Sequence, residues 1–120
     1  SLNDKKCEHE GLYIVRKEDF DEYVRDYNPI VLRWSVSSKI PETSYPIEVR
    51  NIGVSKGATY DHVIIICTDT FRKFVKDGTV PSNEKAQSEL YVAITRARFS
   101  VAFVYDESDY LDVFSLYETI

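Results

Sequence analysis

KAQSELYVAITRARFSVAFVY, residues 85–105, reads as an amphipathic helix running straight into a buried strand. Leu90, Ile94 and Ala97 recur at helical spacing, with Ala86 and Ala93 on the same side. From Phe99 to Tyr105 nearly every residue is apolar, the mark of a strand covered on both faces in the middle of a parallel sheet. Glu89, Val92 and Arg96 fall on a second side of the helix, so Arg96 is expected to project away from the apolar stripe. Arg96 and Arg98 both sit at the junction of helix and strand. A guanidinium held there by a packed helix can be aimed at a ligand.

The segments on the N-terminal side supply the rest of a βαβ pattern. Residues 1–11 are polar and aperiodic and read as a loose lead-in, with Cys7 and His9 as exposed side chains rather than half of a zinc site. Leu12–Arg16 reads as a strand. Lys17–Asn28 reads as a helix, with Phe20, Tyr23, Val24 and Tyr27 on one face, ended by Pro29. Ile30–Val36 is the next strand, and strand–helix–strand with short links implies a parallel sheet. Residues 37–46 form a loop with two prolines, Ile47–Ile52 a strand, 53–61 a glycine-bearing connection, and His62–Cys67 a dense apolar strand. His62 reads as structural.

Thr70–Asp77 is a short helix with Phe71, Phe74 and Val75 inward and Arg72, Lys73 and Lys76 outward, ended by Gly78. Ser82 or Asn83 caps the helix that follows. After Tyr105, the spacing of Tyr110, Val113, Phe114 and Tyr117 predicts a terminal helix packed back on the sheet. Residues 12–120 are therefore expected to form one α/β domain of about five strands and four helices, helices covering both faces.

Composition sets the outer limits. A chain of 120 residues, 43% hydrophobic and 29% charged, suits one globular core. It carries neither a span-length apolar run nor a signal-peptide pattern, so no membrane partner is expected. Only two cysteines, far apart in sequence, point to a reducing, cytoplasmic setting rather than a disulfide scaffold. A net charge of −5 disfavours duplex binding by bulk electrostatics. The absence of methionine is read as the sign of a piece of something longer.

Gly53-Val54-Ser55-Lys56-Gly57 places two glycines around a lysine, so its backbone could approach a phosphate closely. A tight turn with an exposed lysine fits the same residues. The spacing is not that of a phosphate loop, and none occurs elsewhere. No strand ends in paired acids able to hold magnesium, and no metal cluster or serine–histidine–acid set stands out. A domain of this kind, alone, is not expected to hydrolyse a nucleotide; it could complete a site built mostly by a neighbour.

Two stretches then carry a family resemblance. SKGATYDHVII, residues 55–65, is similar to motif V of the superfamily 1 helicases of the UvrD/Rep type. LYVAITRAR, residues 90–98, resembles motif VI of the same family, with the same order of residue types just before an apolar strand. The resemblance covers roughly residues 30–106 and implies the second, C-terminal RecA-like domain: a three-layer αβα fold with a mainly parallel central sheet. In that family two RecA-like domains clamp Mg²⁺-bound ATP, and single-stranded DNA lies across both. The absent N-terminal RecA-like domain of the same chain would then be the partner carrying the phosphate loop and magnesium acids.

By position, the resemblance makes Arg96 the arginine finger that reaches the γ-phosphate and stabilises charge building there. It places Gly57 and Thr59 by the nucleotide, and Asn51, Ser55 and Lys56 on the DNA strand. Tyr91 and Thr95 match positions that shape the helix, read as structural, and Arg98 reads as paired with an acid. Asn51 and Gly53 stand where the family has a threonine and a histidine, and Thr59 stands where it has a glutamate. Asn51 can still donate to a phosphate, whereas Gly53 offers only backbone. Trp34 reads as core, with base stacking the alternative. The short 37–46 link implies no accessory subdomain at that point. A finger role requires Arg96 to be partly exposed and free of a saturating ion pair. The alternative from another class is a non-catalytic RecA-like module that binds nucleic acid or protein.

Overall fold

The computed structural model describes residues 9–54 and 57–118. In chain order the elements are β1 (Gly11–Val15), α1 (Phe20–Tyr27), β2 (Ile30–Arg33), β3 (Glu48–Asn51), β4 (Tyr60–Ile66), α2 (Asp69–Asp77), α3 (Glu84–Thr95), β5 (Ala97–Val104) and β6 (Ser115–Leu116). Single 3₁₀ turns, Lys17–Asp19 and Ile52–Val54, precede α1 and follow β3. The strands form one 6-stranded sheet in the order β3–β2–β4–β5–β1–β6, and every pairing is parallel.

Alternation along each strand splits the core in two. Ile30, Leu32, Val63, Ile65, Val101 and Phe103 face α2 and α3, where Phe71, Val75, Leu90 and Ala93 cover them. Val31, Ile64, Ile66 and Ala102 face α1 and pack under Phe20, Tyr23, Val24 and Tyr27. The result is the three-layer αβα, RecA-like arrangement, with β4 and β5 buried at its centre as their apolar runs require.

Local chemistry starts and stops the helices. Thr68 caps α2 by accepting from the Phe71 N–H, and Gly78 ends it in the left-handed region with φ +82°. Asn83, rather than Ser82, caps α3 by accepting from the backbone of Lys85 and Ala86. Asn28 ends α1 with φ +47°, and Pro29 leads the chain into β2.

Three expectations are corrected. Residues 110–117 form no helix: they turn and then run as the edge strand β6. The spacing suits a helix, but Val113 is exposed, and the Tyr117 N–H pairs with the Ile14 carbonyl on the open edge of β1. An unpaired strand edge offered more hydrogen bonds than an isolated turn of helix. His9 is buried rather than exposed, stacked between Tyr13 and Tyr27 and within 2.8 Å of the Tyr23 hydroxyl. Cys7 lies outside the described residues. Last, the second side of α3 is not open: Glu89 and Val92 are buried along with the apolar stripe, because α3 packs on both the sheet and the Ile52–Val54 turn.

Candidate arginine site at the amino edge of the sheet

The connection from β3 to β4 does the positioning. It leaves β3 at Asn51, level with the carboxyl end of β4, and must enter β4 at its amino end because the strands are parallel. The described ends of the connection therefore lie at opposite edges of the sheet, the Ile52–Val54 turn at the carboxyl edge, packed on α3, and Gly57–Thr59 at the amino edge. Helix α3 runs the same way, and its last turn meets the end of that connection.

Two hydrogen bonds make the meeting specific. The Tyr60 N–H donates to the Arg96 carbonyl at 2.7 Å, pinning the residue where β4 and β5 begin. Arg96 Nη1 donates to the Ala58 carbonyl at 3.2 Å, tying the guanidinium to the turn. Arg96 Nε is buried and has no hydrogen-bond partner. The side chain is half-buried, and among the described residues no acid pairs with it. Arg96 is thus partly exposed and, among the described residues, free of an ion pair, the two conditions set for a finger role.

Around this arginine the structure gathers some of the sequence-selected residues and not others. Gly57 and Thr59 are exposed in the same turn. Gly57 holds φ +85° with nothing within 4 Å of where a Cβ would sit, so glycine answers a backbone requirement there and not a steric one. Gly53 is different. A Cβ there would meet only Glu89 Oε1 at 3.7 Å, an ordinary contact, in the 3₁₀ turn. The two glycines thus answer different demands of the chain. Ser55 and Lys56 lie outside the described residues.

Asn51 is at the other edge. With a rise of about 3.3 Å per residue along β4, it lies roughly 20 Å from Arg96 in the strand direction. Its Oδ1 accepts from Arg33 Nε at 2.9 Å. Trp34, beside Arg33, is half-buried, edge-on to Phe71 and under the Lys85 ammonium, so it belongs to the core as read.

Tyr91, read as a structural residue of the helix, is 69% exposed on the outer face of α3, one turn before Thr95. Its patterning among Gln87, Ser88 and Thr95, all polar and exposed, is the sequence signal for that outer face. Thr95 keeps its structural reading: its hydroxyl lies 2.8 Å from the Tyr91 carbonyl and 3.3 Å from that of Val92, bonding back within the helix. Arg98 is paired with an acid, as expected, through Asp61 at 3.7 Å. Between Tyr60 and His62 the register shifts by one residue, so β5 carries its extra residue between Ala97 and Ser100, close after Arg96. A bulge there sets the arginine apart from the regular ladder.

The carboxyl edge carries a crevice of about 1000 Å³ over the ends of β4 and β5. Lys17, Lys39 and Arg72 alternate around it with Glu18, Glu42 and Asp106, so its lining has no net sign. Arg72 is tied to Asp69 and to the Cys67 carbonyl, and burial pushes the Cys67 thiol up to about 12, which leaves it protonated and inert. Among the described residues no group of three or more His, Cys, Asp or Glu could hold a metal ion. No described helix is long and apolar enough to cross a membrane. In comparison with known proteins, the chain matches no family model and no curated sequence.

Proposed function

We propose that this chain is the second RecA-like domain of an ATP-dependent helicase or translocase. It would present Arg96 to the γ-phosphate of Mg²⁺-bound ATP held by a first RecA-like domain of the same polypeptide. The observation that carries the reading is Arg96 itself: a half-buried guanidinium with no acid partner among the described residues and one buried N–H unsatisfied. The neighbouring arginines differ: Arg33 donates to the Asn51 side chain, and Arg98 faces water beside Asp61. The likeness to motifs V and VI supports the same assignment.

The chemistry follows from the group. Charge develops on the transferred phosphoryl oxygens, and a planar, permanently charged fork can meet two of them at once. Contributions of an arginine in this position are on the order of 10³–10⁵ in turnover. Gly57 and Thr59 would border the nucleotide, while Asn51, Ser55 and Lys56 would follow a single-stranded DNA backbone. Magnesium would arrive with the ATP and be held by acids outside this chain. The chain alone, lacking a phosphate loop, would bind no ATP productively.

The test uses the longer polypeptide that encodes this domain. Arg96→Ala should lower ATP turnover by about 10³ while ATP affinity changes less than about threefold, and Arg96→Lys should not restore it. Normal turnover in Arg96→Ala, or a polypeptide with no phosphate loop, would sink the assignment and leave a non-catalytic binding module.

A further inference from the structure

Arg96 is held by more than its helix, and the way it is held has a direction. Its backbone is fixed by the Tyr60 N–H on its carbonyl, and it caps α3 in helical geometry with φ −78° and ψ −12°. The last turn before it is tightened by the Thr95 hydroxyl. Movement of the guanidinium must therefore come from the side chain. That side chain is drawn back onto the Ala58 carbonyl, and in this position Nε is buried without a partner. A desolvated N–H that makes no hydrogen bond is a cost the chain recovers if the guanidinium swings out to an anion. The carbonyl it is tied to follows a residue in the left-handed region, Gly57, whose φ of +85° sets the direction of the peptide units beside it. No side chain competes for the space around Gly57, so conformation alone explains the glycine.

We infer that the turn carrying Gly57 and Ala58 is a latch on Arg96: it holds the guanidinium back in the free chain, and displacing the turn releases the guanidinium to a phosphate. The inference rests on the reading of Arg96 as a phosphate-contacting residue and deepens it. Gly57 then acts through Arg96 and is a positioning residue rather than a nucleotide contact. The latch also sits at the end of the 52–59 connection, whose other end starts beside Asn51.

The experiment needs no nucleotide. In the 120-residue chain, ¹⁵N NMR resolves arginine Nε–H groups, with Arg96 assigned by its loss in Arg96→Lys. Exchange of the Arg96 Nε–H with solvent should be at least about tenfold slower than that of Arg98, whose side chain is 64% exposed. Gly57→Ala should bring Arg96 to within about threefold of Arg98, leaving Arg98 and the remaining backbone spectrum unchanged. Gly57→Asn, which tolerates the left-handed region, should keep Arg96 slow. Inorganic tripolyphosphate should shift the Arg96 Nε resonance at a concentration about threefold to tenfold lower in Gly57→Ala than in the unaltered chain, because no latch has to open first.

Arg96 exchanging as fast as Arg98 in the unaltered chain overturns the latch, as does a folded Gly57→Ala with Arg96 still slow. If Gly57→Ala does not fold, the comparison of Arg96 with Arg98 in the unaltered chain decides. These readouts are independent of turnover. Slow exchange released by Gly57→Ala, together with normal ATP turnover in Arg96→Ala, would keep the latch and discard the helicase reading. The opposite pattern would do the reverse.

Discussion

The two edges of the sheet treat their polar groups differently. At the carboxyl edge Arg33 is spent on Asn51, Arg72 on Asp69, and the Lys17 N–H on Asp106. At the amino edge Arg96 keeps an N–H buried and unsatisfied, next to the exposed Gly57, Thr59 and Tyr91. Open parallel sheets usually bind ligands beyond their carboxyl ends, and the crevice here lies in that place. Its acidic and basic side chains cancel, while the amino edge, whose crevice between Tyr27–Ile30 and Tyr60–His62 is only about 210 Å³, has the unspent cation. Concavity and chemical readiness have come apart, and readiness marks the candidate site.

Both edges hang on the same two central strands, and that dependence gives the largest expected effect. Phe103 is fully buried on β5 and meets Phe114 edge-on with ring centroids 5.6 Å apart. Phe103→Ala should cost about 3–5 kcal/mol by urea denaturation, whichever edge is probed. A loss below about 1 kcal/mol would mean that the edges do not share one core.

Alkali should act unevenly. The α1 face, under the amino edge, holds a cluster of Tyr23, Tyr27, Tyr117, His9 and His62. Burial holds the Tyr23 hydroxyl well above the usual phenol range, and burial followed by the Asp26 charge does the same for Tyr117. A folded-state pKa raised above the unfolded value of about 10 gives stability that is complete below pH 10 and lost as pH rises past it. Tyr23 alone would contribute a fall of up to about 1.4 kcal/mol per pH unit there, and Tyr23→Phe should flatten the decline. An unchanged slope in Tyr23→Phe would show that the fold loosens elsewhere first.

The two glycines of the connection sharpen the contrast further. Gly57→Ala must place a Cβ on a left-handed backbone and should cost about 1–2 kcal/mol, whereas Gly53→Ala should stay within about 0.5 kcal/mol. Equal losses on thermal denaturation would break the distinction between a conformational glycine at the amino edge and a replaceable one near the carboxyl edge.

Much of this was legible from residue order because short-range rules decide it. The apolar runs 62–67 and 99–105 read as central strands, and Gly78 and Asn83 mark helix ends by capping chemistry, whereas Thr68 as the cap of α2 emerged only in the structure. What escaped depends on partners distant in sequence. Tyr110, Val113, Phe114 and Tyr117 have helical spacing, but the open edge of β1 claimed the segment. Glu89 and Val92 look outward on a helical wheel, yet a turn 37 residues earlier covers them. The same kind of long-range fact, Ala58 beside Arg96, makes the candidate site. The motif resemblance singled out Arg96 but not Ala58, and only the parallel pairing that starts β4 beside β5 brings the two together.

The smallest effect concerns Arg98, which isolates what is particular to Arg96. The two arginines flank Ala97 and carry the same charge, Arg96 as the cap of α3 and Arg98 as the second residue of β5. Arg98 faces water and meets Asp61 at 3.7 Å, with both side chains more than half exposed. Such a pair gains little, because water screens it and two long side chains lose freedom to hold it. Asp61→Asn should therefore change stability by no more than about 0.5 kcal/mol, and even that difference should fade in 1 M salt. It should also leave the Arg96 Nε–H exchange unchanged, since Arg96 is held by a backbone carbonyl and not by this acid. A faster Arg96 in Asp61→Asn would mean that the bulge after Arg96 transmits the surface pair inward, and the two arginines would then have to be treated as one coupled unit.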